Sequence, residues 1–115
     1  MVRKNAECKL ELREAMRGGP GTVRITNFVS KEEMYSKCRL FAEICLEPGC
    51  GIGVHEHKGE SEIFYITEGE AIYNDNGEER LVQAGDVTIC ASGQSHGITN
   101  VSQVPCKLAA LIVLE

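Results

Sequence analysis

The sequence predicts an all-β protein, a sandwich or barrel with antiparallel pairing. Three observations point there. Short runs rich in β-branched and aromatic residues recur at close intervals from residue 38 onward. The separators KGE, EG, NDNG, AGD, ASGQ and NVSQVP are all turn chemistry. No amphipathic helix of convincing length follows residue 37.

The elements follow in order. Residues 1–21 are a mixed arm ending in the breaker GGPG. TVRITNFV, 22–29, reads as a strand. Ser30 followed by Glu33 is a capping-box pattern and predicts a short helical turn in SKEEMYS. CRLFAEICL is a strand closed by EPG, and GIGVHEH, EIFYIT, EAIYN, ERLVQ, DVTIC, SHGIT and CKLAALIVL follow it. Asn76-Gly77 marks a tight hairpin between the fourth and fifth of these eight runs. Such close hairpins favour antiparallel neighbours. The chain divides into an arm with a first strand, 1–37, and a barrel, 38–115, within one structural domain. In RLFAEICL, binary patterning favours Leu40, Ala42, Ile44 and Leu46 facing inward over Arg39, Phe41, Glu43 and Cys45.

Composition narrows the function classes. With 115 residues, 43% apolar and 25% charged, the chain is one ordinary globular domain. A net charge of -5, with Lys and Arg scattered, argues against a nucleic-acid partner. No apolar run reaches membrane-spanning length, and the N-terminus has no signal-peptide core, so a cytoplasmic location is expected. The six cysteines form no CxxC pair and most alternate with apolar residues, which reads as reduced, buried thiols.

The chemistry concentrates in GVHEHKGESEIFYITEG, residues 53–69. Side chains alternate along a strand, so His55 and His57 share a face with Cα atoms roughly 6.5–7 Å apart. That spacing suits two imidazoles converging on one ion, with Glu62 opening the next strand beside them. Two neutral imidazoles and a carboxylate suit a divalent first-row metal. An HxH pair alone is weak evidence, as is a lone glutamate in a turn, or His96 taken by itself.

The wider pattern adds weight. Gly49, five residues, His55-x-His57, four residues, Glu62, six residues and Gly69 resembles the first motif of the cupin family. Gly85, five residues, Ala91-x-Gly93, two residues, His96, three residues and Asn100 resembles the second. Alanine at 91 replaces the family's usual proline, a change expected to loosen a turn and leave the fold intact. The two motifs span about half the chain, and the segment 70–84 between them is short, as in small bacterial single-domain cupins.

The resemblance implies a double-stranded β-helix, a jelly-roll barrel of two antiparallel sheets with a short N-terminal arm. It implies that His55, His57, Glu62 and His96 converge inside as metal ligands. These include all three histidines of the chain. If Glu62 faces inward, so do Phe64 and Ile66 by alternation, and Ile98 shares the face of His96, giving an apolar pocket wall. Glu56 and Glu60 are expected to be solvated charges.

The resemblance extends to oxalate decarboxylase-like and germin-like proteins that use manganese. One divalent ion per chain is therefore expected, manganese first, with iron, nickel, zinc or cobalt also open. The leading expectation is metal-dependent chemistry on a small carboxylic acid by Lewis-acid activation. A non-catalytic ligand-binding or sensor module, a sugar isomerase-type cupin, and a barrel stapled by its metal stay open beside it. Similar small cupins use their arms to pair with a neighbour, so a homodimer is expected.

Overall fold

The computed structural model describes all residues, 1–115. Ten strands form two antiparallel sheets packed face to face. In chain order they are β1 (Lys9–Glu14), β2 (Thr22–Asn27), β3 (Cys38–Leu46), β4 (Gly51–Glu56), β5 (Glu60–Glu68), β6 (Glu70–Asp75), β7 (Glu78–Gln83), β8 (Val87–Cys90), β9 (Ser95–Thr99) and β10 (Cys106–Leu114). The larger sheet runs β1-β2-β3-β10-β5-β8, and the smaller runs β4-β9-β6-β7. Both are interleaved in sequence, as a double-stranded β-helix requires.

The turns justify their residues. β6 and β7 join through Asn76-Gly77, both at positive φ (52° and 101°), with Asn74 Oδ1 accepting from Gly77 N at 2.8 Å. Ser30 and Glu33 form the expected reciprocal cap: Ser30 N donates to Glu33 Oε1 at 2.8 Å, and Glu33 N donates to Ser30 Oγ at 3.3 Å. The helical turn they start is one turn of 3-10 helix, Glu32–Met34. The arm is more ordered than its mixed sequence predicts. Residues 9–14 form β1, paired along its length with β2, although Leu10 and Leu12 stay exposed. The charges between those leucines mask the strand pattern, and pairing to β2 makes it.

The core fills the space between the sheets. β2 supplies Val23 and Ile25, and β3 supplies Ala42, Ile44 and Leu46. The inward face of β3 is therefore the apolar one. β10 adds Leu108 and Ala110, while Ile52, Ala71, Tyr73, Val82 and Ile98 close it from the smaller sheet. All six cysteines are unpaired, and Cys45, Cys90 and Cys106 are buried. No helix is long and apolar enough to cross a membrane.

One buried polar residue ties the far loops together. Asn100, fully buried, donates from its amide to Leu46 O (2.8 Å) and Val104 O (2.7 Å). Its Oδ1 accepts from the backbone and hydroxyl of Ser102 at 2.9 and 2.7 Å. Deleting this side chain removes the buried bond to Leu46 O and the part-buried bond to Val104 O. Asn100→Ala is expected to lower unfolding free energy by about 1–3 kcal/mol, read from the denaturant midpoint. An unchanged midpoint would show that solvent reaches these groups.

Candidate metal centre

Two irregularities in strand pairing build the centre. Between β4 and β9, Ile52 pairs with Ile98 and His55 pairs with His96. Two residues, Gly53 and Val54, therefore face the single Gly97. This bulge shifts the alternation by one residue. Ile52 points into the core, Val54 points out, and His55 and His57 point in again. Between β3 and β10, Leu40 pairs with Ile112 and Cys38 with Val113, leaving Arg39 unpaired on a second bulge.

The bulge in β4 is braced by the arm. Pro20 O accepts from Gly51 N at 2.9 Å. A Cβ on Gly53 would collide with Arg17 O and crowd Gly19 N. Gly53 O in turn faces His55 Nδ1 at 2.8 Å. The N-terminal arm thus packs behind the first histidine.

The four residues His55, His57, Glu62 and His96 converge, with donor atoms all within 4.8 Å of one another. His57 Nε2 lies 3.1 Å from His55 Nε2, 3.1 Å from His96 Nε2 and 3.1 Å from Glu62 Oε1. His96 Nε2 lies 3.0 Å from the same carboxylate oxygen. The imidazole centroids form a near-equilateral triangle with sides of 4.8, 4.8 and 5.0 Å. His57, Glu62 and His96 are buried, and His55 is partly exposed at the open end.

Hydrogen bonding alone does not account for this packing. Gly53 O can only accept, so His55 Nδ1 carries a proton and its Nε2 presents a lone pair when neutral. Glu60 faces His57 Nδ1 at 2.6 Å, which fixes the same tautomer there. Two lone pairs and a carboxylate oxygen then point at one spot. A proton on His57 Nε2 could serve only one of its three neighbours well. A divalent cation satisfies all four donors together. Spacing favours right-angled coordination: ligands about 2.1 Å from an ion sit about 3.0 Å apart at right angles and about 3.4 Å apart in a tetrahedron.

The charges follow the contacts. Burial lowers the pKa of His55. The hydrogen bond with Glu62, helped by Glu60, raises that of His57. Burial resists ionisation of Glu62, yet its bonds with His57 and His96 outweigh this and hold it below the usual carboxylate value. Glu60 is held at about 2, chiefly by Arg39. Burial pushes Tyr73 to about 12, and its hydroxyl lies 2.8 Å from His96 Nδ1. Cys90, the Cα partner of Glu62, is pushed to about 11 and stays a thiol.

The cupin-domain family model matches residues 42–114. This chain belongs to the cupin family. It is 43% identical over 114 residues, 99% of this chain and 94% of the other, to an oxalate-binding protein of Thermotoga maritima. A solved structure of a predicted oxalate decarboxylase from the same organism superposes over the whole of both chains, with a TM-score of 0.95 and 43% identity. A tetracenomycin polyketide synthase protein, TcmJ of Streptomyces glaucescens, is 30% identical over 69 residues, 60% of this chain and 46% of its own.

The remaining expectations for this cupin divide. Glu56 is a solvated charge near Lys58 (3.5 Å). Glu60 is not: its side chain is 13% exposed and takes two bonds from Arg39, 2.7 Å from Nε and 2.6 Å from Nη2, besides facing His57. The alternation that placed Glu62 inward placed Glu60 on the same face, so the signal was present. Phe64, Ile66 and Ile98 are buried in the core, and Phe64 stacks on His96 at 5.1 Å. Tyr73 had no sequence signal beyond its alternation with Ala71. Alanine at 91 has a use: its N–H, which proline lacks, donates to Gln94 Oε1 at 3.0 Å and closes the turn before His96.

Gly53→Ala is expected to disturb the bulge, lowering stability by about 1–3 kcal/mol through forced backbone movement. Gly59→Ala is the comparison, because nothing stands within 4 Å of its added carbon, although its φ of 72° also strains alanine. Thermal melts showing equal losses at both sites would refute the brace.

Proposed function

We propose that His55, His57, Glu62 and His96 hold one divalent metal ion and that this cupin binds a small carboxylate there, with oxalate the first candidate. The convergence of four electron-rich atoms, with His55 and His57 anchored through Nδ1, carries the reading. The 43% likeness to an oxalate-binding protein supports the ligand class. Manganese is the first choice of metal, since a mixed imidazole and carboxylate set at right-angled spacing suits a six-coordinate ion. Iron, cobalt and nickel suit it next, and zinc, with its tetrahedral preference, least.

When bound, the ion supplies Lewis acidity that neutralises carboxylate charge. The chain does the rest. Phe64 and the core around His96 exclude water from one side, which strengthens charge interactions at the cage. Glu62 and the anchored imidazoles keep the donors in place before a ligand arrives.

Elemental analysis of native protein is expected to show one bound transition metal per chain, lost in His55→Ala and His96→Ala. Oxalate should raise the melting temperature of loaded protein only, the added stability being about 2.7 kcal/mol at a hundredfold excess over Kd. Full metal content in both variants would end the site assignment. A second reading, favoured by the likeness to a predicted oxalate decarboxylase, is turnover. There the carbon–carbon bond of oxalate breaks, carbon dioxide leaves, and the remaining carbon takes a proton to give formate. Absence of formate from manganese-loaded protein would remove that reading and leave binding.

We also propose that two copies pair through the outer face of the larger sheet. Phe41, Leu111, Ile63 and Ile89 lie in one row across β3, β10, β5 and β8, with Ala109, Tyr65 and Val87 beside them. Four strands span roughly 15–20 Å, and an apolar patch crossing that width fits the centre of an isologous contact. The doubly substituted Tyr65→Lys, Ile89→Lys protein should be monomeric by light scattering where wild type is dimeric. A monomeric wild type sinks this proposal.

A further inference from the structure

The three imidazoles are held from behind by three different groups. A neutral carbonyl, Gly53 O, stands behind His55 at 2.8 Å, and the Tyr73 hydroxyl stands behind His96 at 2.8 Å. Behind His57 stands a full carboxylate, Glu60, at 2.6 Å. Position also sets His57 apart. Its Nε2 is 3.1 Å from each of the other three donor atoms, so no protein donor stands across the cage from it. The side of the cage opposite His57 is therefore open to a ligand.

The carboxylate behind His57 is itself held. Arg39 donates from Nε to Glu60 Oε1 and from Nη2 to Oε2, the fork geometry of a strong charged pair. Oε2 also faces His57 Nδ1. Both oxygens of Glu60 are therefore committed, and the side chain is not free to turn towards an ion. Arg39 reaches Glu60 from the bulge in β3, where it lacks a partner on β10. Bulges of this kind re-aim side chains beside functional sites.

We infer that Arg39 and Glu60 form a positioning pair for His57. Glu60 fixes the ring and its tautomer and, through a charged hydrogen bond, increases electron density on Nε2. Arg39 keeps Glu60 in that role and stops it from becoming a fifth donor. The pair thus sets how tightly the ion is held and how readily the place opposite His57 accepts a carboxylate. The inference rests on the proposed metal site.

The test uses Co²⁺ as probe, with affinity from chelator competition, visible absorption of the loaded protein, and the melting temperature of the metal-free protein. Glu60→Gln is expected to weaken Co²⁺ binding about 10–100-fold and shift the absorption bands, with the metal-free melting temperature little changed. Arg39→Lys, which keeps charge but loses the fork, should weaken binding several-fold. Glu56→Gln removes the same charge from a solvated position nearby and should match wild type. Unaltered affinity and spectrum in Glu60→Gln would overturn the inference, as would an equal loss in Glu56→Gln. Should Glu60→Gln not fold, unaltered Co²⁺ binding in Arg39→Lys overturns it. A wild-type protein that takes up no Co²⁺ overturns the metal site first and this inference with it.

Discussion

The crowding of donors around His57 Nε2 is the constraint on which the rest of the structure turns. Three other electron-rich atoms stand 3.1 Å away, an arrangement that repels itself unless a cation sits among them. A chain pays for such a cluster only if the surroundings hold every member in place. Here they do. His55 leans on a backbone carbonyl, His57 on Glu60, and His96 on Tyr73 and the face of Phe64. Each side chain is fixed at its far nitrogen, so the near nitrogen has little freedom to relax. Preorganisation of this kind lets a ligand bind without first ordering the site.

Regular β-structure would not have produced the cage. Strict alternation from Ile52 would have turned His55 and His57 outward and Val54 into the core. The extra residue at Gly53-Val54 reverses this. Regular pairing of β3 would likewise have left Arg39 an ordinary outward side chain, and the bulge there leads it to Glu60. The two bulges lie on different sheets, and both serve His55 or His57. The arm completes the arrangement. Its strand β1 adds little to the core, but Pro20 accepts from Gly51, and Arg17 and Gly19 press on Gly53, where no larger residue fits. Arm and barrel are in this sense one unit around the centre.

The strands were legible because their signals are local. β10 and β3 run over the residues their patterns mark, and the Asn76-Gly77 hairpin needs only its own two residues. The four converging residues were legible only through motif spacing, since nothing local distinguishes Glu62 from Glu60. What the sequence could not show was the partner of each ligand. Glu60 looked like turn charge because its neutralising cation, Arg39, is distant in sequence and reaches it from a bulge that no periodicity predicts. β1 was hidden for a related reason: alternating leucines and charges on an exposed edge read as arm until β2 is placed beside them. Alternation gave the direction of Phe64, Ile66 and Ile98, but the stacking of Phe64 on His96 joins two sheets and is a property of their closure.

The division of labour along the barrel bears on what the metal is for. Fifteen buried hydrophobic side chains form a continuous core that meets the cage at Phe64 and Tyr73, and Asn100 closes the loops at the other end. A core of this extent is the kind on which a small domain can fold by apolar burial, in contrast to domains that are unfolded without their ion. The cage lies against one end of this core, with His57, Glu62 and His96 buried and His55 partly exposed. An ion held there would meet the apolar core on one side and the partly exposed His55 on the other. That placement favours a metal that meets ligands over one that staples strands. It also explains why polar groups such as Glu60, Arg39 and Tyr73 gather around the cage, while the barrel beneath it is almost wholly apolar.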